Sequence, residues 1–182
     1  MVAQLDLLDR RETTPTFPRK LCDGAGFSPD RRHRYWLSRT IPQRETWTHA
    51  FLWLMLNPSI ADETQLDPTL RRCMAFTKAW GGTQMLVGNL FSLVSTDPAG
   101  LAKGSAPVGP LCDVNLGRMI EWSCGRVIVG WGASPYARKR ARDMVERFPC
   151  VAFSCLGANA DGSPKHPLYL PSTAQLEPWA TP

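Results

Sequence analysis

The chain has 182 residues, 43% of them hydrophobic and 20% charged, which suits one globular domain with a sizeable core and excludes disorder throughout. Its formal net charge of +5 is compatible with a polyanionic partner without requiring one. No apolar run approaches the roughly 20 residues of a membrane span, and the start "MVAQLDLLDRRETT" lacks the basic-then-apolar pattern of a secretory signal, so a cytoplasmic location is expected.

Residues 1–28 are polar, with Pro15, Pro18, Gly24 and Gly26, and read as a loosely held lead-in to a single domain over 29–182. "RHRYWLSRTI" alternates and is rich in aromatics, as a strand does. "TWTHAFLWLML" reads as its longer, more buried neighbour, joined to it in an N-terminal β-hairpin through Pro42 and Gln43. "DPTLRRCMAFTKAWGG" carries helix signals at both ends: Asp67 as N-cap, Pro68 in the first turn, and Gly81-Gly82 as the stop. "TQMLVGNLFSL" is a second buried strand that ends near Asn89. "PVGPLCDVNLGRMIEWSC" contains a helix, "GRVIVGW" a third buried strand, "SPYARKRARDMVERF" a basic helix and "CVAFSCL" a fourth strand. The proline-dense "GSPKHPLYLP" is loop-like and holds His166. Strands alternating with helices predict an α/β three-layer sandwich, with a mainly parallel central sheet flanked by helices.

In such sheets ligands gather at the carboxyl ends of the strands. Asn57, Asn89, Gly132 and His166 all fall at or just beyond a predicted strand end. Asn57 closes "FLWLML" and is followed by Pro58 and Ser59; it either caps the next turn or orients a water or polar ligand. Asp62 and Glu63 are the nearest acids, placed to serve as a general base or simply to favour a helix N-terminus. Asn89 can terminate a strand, or read a base edge with its adjacent donor and acceptor. His166 can donate from a neutral imidazole to an oxygen that gains charge.

"DRRHRYWLSR", with Arg31 and Arg34, and the basic helix, with Arg138, Lys139 and Arg140, read either as solvated faces or as contacts to a phosphate backbone with stacked bases. The six cysteines form no CxxC pair and read as reduced structural thiols; Cys150 and Cys155 sit in an apolar run of the kind that supplies core thiols. No P-loop, GxGxxG, GxSxG or HExxH motif is present.

The runs "MLNPSIADETQLDPTLRRC", "GNLFSLVSTDP", "PVGP", "WG" and "KHPLYLP" resemble a widespread bacterial domain family of unknown function over roughly residues 28–179. Their order also resembles, more distantly, the uracil-DNA glycosylase superfamily. That resemblance implies a glycosylase-like sandwich with Asn57 placing water in the "LMLNPS" motif. It gives Asn89 in "MLVGNLFSLVS" the reading of the base, and His166 in "KHPLYL" the holding of a pyrimidine oxygen. Asn57 stands where the most active uracil enzymes carry an aspartate. Ser59 and Ile60 replace the aromatic gate against C5 substituents, and Leu168 stands at a serine position, where an apolar wedge into the DNA stack would fit.

The expectation is therefore a DNA glycosylase-like enzyme that flips out and excises a pyrimidine, including a bulky 5-modified pyrimidine of phage DNA in a defensive role. Its base-binding residues would be Asn89, Ser59 and Pro58. Its catalytic residues would be Asn57 and His166, with Asp62 as a further acid. Arg31, Arg34, Arg138, Lys139, Arg140, Lys165 and Leu168 would contact DNA. Some branches of that superfamily carry an iron–sulfur cluster on four cysteines, a spacing not reproduced here, and the excision chemistry needs no metal and no organic cofactor. The alternatives are a non-catalytic module binding DNA or modified bases, and a hydrolase of free nucleosides or nucleotides.

Overall fold

The computed structural model describes residues 22–42, 49–59, 66–96, 101 and 106–181. The strands are β1 (Gly24–Phe27), β2 (Arg34–Thr40), β3 (Ala50–Met55), β4 (Gln84–Asn89), β5 (Val127–Val129), β6 (Phe153–Cys155) and β7 (Glu177–Pro178). The α-helices among the described residues are α1 (Pro68–Ala79), α2 (Cys112–Trp122) and α3 (Ala137–Arg147). A 3₁₀ turn, Pro167–Tyr169, follows β6.

The strands form one seven-stranded mixed sheet in the order β1-β2-β4-β3-β5-β6-β7. The central strands β4, β3, β5 and β6 run parallel, while β1, β2 and β7 pair antiparallel at the two edges. Parallel neighbours need crossover connections, which α1, α2 and α3 supply.

Two-residue periodicity divides the core between the faces. Leu52 and Leu54 of β3 join Leu86, Val127 and Val129 beneath Leu116 and Met119 of α2 and Ala141 and Met144 of α3. Trp53 and Met55, the alternate residues of β3, join Met85, Val87 and Ile128 beneath Leu70, Cys73 and Phe76 of α1. Helices therefore cover both faces, and the central strands read as unbroken apolar runs. Gly88 sets the spacing on the α2 side, because a Cβ there would lie 2.5 Å from Leu116 and 2.9 Å from Met119.

Helix α1 begins as its sequence predicts. The Asp67 carboxylate accepts from the Leu70 N–H at 2.7 Å, Pro68 needs no partner in the first turn, and Gly81 leaves the helix at φ +76°.

Three expectations change. The hairpin through Pro42 and Gln43 does not exist as a pairing: β4 lies between β2 and β3 and pairs with both. The N-terminal hairpin instead joins β2 to β1, so an edge strand occupies the end of the expected lead-in. A mainly parallel arrangement holds for the central strands only. Strand order depends on non-local pairing, which local apolar patterns do not encode. Cys150 lies exposed ahead of β6, outside the core, whereas Cys155 is buried. No described helix is long and apolar enough to cross a membrane.

Candidate functional site

From β3 the chain crosses to β4 on one side, then returns past β3 to β5 on the other. The carboxyl ends of β3 and β5 thus flank a topological switch point, where α/β sheets open a crevice. A cavity of about 250 Å³ lies there, and Asn57, Asn89 and His166 all line it with Arg34, Asp67 and Trp131. Each arrives by a different route. Asn57 follows β3, Asn89 ends β4, Trp131 follows β5, and Asp67 caps the helix that leaves the β3 end. Arg34 opens β2, whose antiparallel pairing with β4 brings its first residue to the β4 carboxyl end.

Asn57 is anchored through its amide nitrogen, which donates to the carbonyls of Ser95 at 2.8 Å and Pro58 at 3.1 Å. With that nitrogen committed, Oδ1 is its remaining group, an acceptor. Asn89 is 3% exposed, and its Nδ2 has no hydrogen-bond partner. An unpaired buried amide costs free energy unless a ligand satisfies it.

His166 precedes the 3₁₀ turn, and its Nδ1 accepts from the Leu168 N–H at 3.3 Å. That bond assigns the proton of the neutral ring to Nε2. Burial pushes its pKa below the ordinary 6.5, and the Asp67 charge opposes the shift. The ring therefore stays neutral near pH 7, with Nε2–H as a donor. The turn is seated by close packing. Gly132, at φ +76°, would bring a Cβ within 3.3 Å of the His166 Cβ, and one at Gly130 would lie 3.1 Å from Pro167.

Asp67 supplies the carboxylate of the cavity. One oxygen caps α1 and the other accepts from the Ser59 hydroxyl at 2.7 Å. Arg34 is 3% exposed; burial pulls its pKa down to about 10, against the attraction of Asp67.

A family model described as a protein of unknown function (DUF1643) matches residues 34–168. The chain belongs to that family. No curated protein and no solved structure matches it. Every residue lining the cavity of this DUF1643 domain falls within the matched span, from Arg34 to His166.

The remaining expected residues of the DUF1643 domain are distributed unevenly. Ser59 lines the cavity with its hydroxyl given to Asp67, while Pro58 is buried behind it, holding the Ser95 N–H and the Asn57 amide on its carbonyl. Asp62 and Glu63 lie outside the described residues. Arg34 belongs to the cavity wall and not to a surface stripe, since it starts a strand covered on both faces. Arg140 is likewise turned inward, paired with Asp113 and donating to the Leu90 carbonyl at 2.8 Å. Arg138, Lys139 and Lys165 are exposed, and Arg31 lies over the Phe27 ring at 4.1 Å. Leu168 is 37% exposed on the turn beside His166.

Sequence reasoning passed over Asp67 and Trp131 as site residues and read Arg34 as a DNA contact. For Asp67 a usable signal existed: the N-cap of a crossover helix that follows a parallel strand adjoins the strand ends where ligands bind. For Arg34 there was none, because its position follows from β2 pairing with β4.

Proposed function

We propose that this DUF1643 domain is a DNA glycosylase-like enzyme that draws a flipped pyrimidine into the cavity and hydrolyses its N-glycosidic bond. The observation that carries this reading is the buried Asn89 amide, unpartnered at Nδ2, in the same cavity as Asn57 and His166. A planar heterocycle with acceptors on its edge satisfies such an amide. The order of strand-end motifs that resembles the uracil-DNA glycosylase superfamily supports a glycosylase-like version of the α/β sandwich.

In this mechanism Asn89 holds the base edge, and His166 donates Nε2–H to a base oxygen. The C1′–N bond breaks and its electron pair moves onto the base, where the imidazole stabilises the charge. Asn57 Oδ1 accepts from a water whose oxygen bonds to C1′. The hydroxyl stays on the sugar and the proton reaches the departing base through solvent. Asn57 cannot take that proton; among the described residues Asp67 is the carboxylate that lines the cavity. Ser59 and Thr69 put small side chains on the cavity wall, which suits a base with a 5-substituent, as in modified phage DNA.

The test incubates the protein with single-stranded and duplex oligonucleotides bearing uracil, 5-hydroxymethylated or glucosylated pyrimidines and scores alkali-labile sites. Asn57→Ala and His166→Ala should each lower the cleavage rate by about 100-fold. If no substrate is cut, or both variants cut as well as the wild type, the enzyme reading fails. One observation favours a non-catalytic base-binding module: both Asp67 oxygens already hold donors, from Leu70 and Ser59. That reading predicts salt-dependent DNA binding with no abasic product.

A further inference from the structure

Beside the cavity runs a wider cleft of about 660 Å³, whose walls include Tyr136, Tyr169, Asn159 and Lys165. The two spaces share Leu56, Trp131 and His166, so the cleft continues from the cavity past the imidazole. Tyr169 is 82% exposed and Tyr136 37%. Neither ring is needed to close the core, yet both stand on fixed backbone. Tyr169 ends the 3₁₀ turn that Pro167 seats against Gly130, its ring leans on His166 at 5.5 Å between centroids, and the next carbonyl, of Leu170, accepts from Arg72. Tyr136 caps α3. A ring that already leans on a neighbour, as Tyr169 leans on His166, loses little freedom when a flat partner stacks on it. Two exposed aromatic side chains beside an exposed lysine form the combination that stacks unpaired bases and neutralises the phosphate between them.

We infer that the cleft is a stacking subsite for the unpaired nucleotide next to the one held in the cavity, with Tyr136 and Tyr169 as the platform and Lys165 on the intervening phosphate. This rests on the glycosylase-like reading for what fills the cavity, and it adds the form of the substrate: a single strand, or a duplex opened over at least two nucleotides. Stacking is tolerant of base identity, so the cleft adds affinity and the cavity keeps the selectivity.

The probe is labelled oligothymidine, compared with the same strand paired to oligoadenine, with binding read by fluorescence anisotropy. The single strand should bind more tightly than the duplex. Tyr169→Ala and Tyr136→Ala should each weaken single-strand binding about tenfold, and Tyr169→Phe and Tyr136→Phe should restore it. Lys165→Ala should reduce the slope of log affinity against log salt by about one unit or less. Alanine variants that bind the single strand as tightly as the wild type overturn the inference. So does a change in self-association in place of oligonucleotide affinity, seen by sedimentation, which would make the cleft a face for a second copy. Base excision is not needed for this readout. Alanine variants that bind like the wild type, with excision by the wild type intact, refute the subsite alone; tyrosine-dependent single-strand binding without excision refutes the glycosylase reading alone.

Discussion

Asn89 sits at odds with stability. Its carboxamide is buried at the end of β4 with Nδ2 unpaired, while its backbone carbonyl accepts from the Cys112 thiol. A group in this state costs about 1–3 kcal/mol relative to an apolar residue of the same shape. Asn89→Leu should therefore hold or raise the melting temperature by about 2–4 °C while abolishing ligand binding in the cavity. Scanning calorimetry beside a binding assay checks this; a variant that melts well below the wild type means that the amide is satisfied in the free protein. Asn57 contrasts with it. Its nitrogen ties the segment after β3 to Ser95, so replacing Asn57 costs stability as well as chemistry.

At the scale of elements, α1 does two things with one residue. Asp67 closes the first turn through Leu70 and faces the cavity, where it holds Ser59 and lies near the Arg34 guanidinium and the His166 ring. Asp67→Ala should cost about 1–2 kcal/mol in urea unfolding from the lost cap, and Asp67→Asn should recover most of it because asparagine caps equally well. If the asparagine variant is as unstable as the alanine one, the charge opposite Arg34 is the larger contribution. The 3₁₀ turn is the other element whose placement matters. Gly130 and Gly132 let it approach the β5 end closely enough for His166 to line the same cavity as the two asparagines.

For the whole molecule, acid stability follows from two histidines in separate places. His33 is buried beside β2, 3.0 Å from the Ser92 hydroxyl, and burial lowers its pKa; burial lowers that of His166 as well. With folded-state values below 6.5, the unfolded chain binds more protons over that interval, so stability rises with pH through it and is complete above 6.5. Urea unfolding should therefore show stability falling as pH is lowered from about 7.5 to about 5, and falling less in His166→Gln. An unchanged pH dependence in that variant would mean that His166 is as accessible folded as unfolded. Asp30 and Asp161, lowered by hydrogen bonds from Ser28 and Ser163, act in a different window, losing their contribution only below 3.8.

What the sequence determined by itself was local. "DP" and "GG" bound α1 because capping is settled within one turn, and "FLWLM", "MLVG" and "VIV" declare strands covered on both faces because apolar residues at successive positions leave no face for water. The rule that ligands collect at parallel strand ends groups Asn57, Asn89, Gly132 and His166; the two asparagines and His166 do share a cavity, while Gly132 lines the adjoining cleft. Only the tertiary structure decided that β4 separates β2 from β3, that Arg34 is a wall of the cavity, and that Asp67 is a carboxylate facing it. The reason is physical: an apolar run specifies burial but not its neighbour. An arginine two residues from a buried tryptophan goes inward or outward according to a strand pairing formed across 50 residues of chain (Leu37 with Val87).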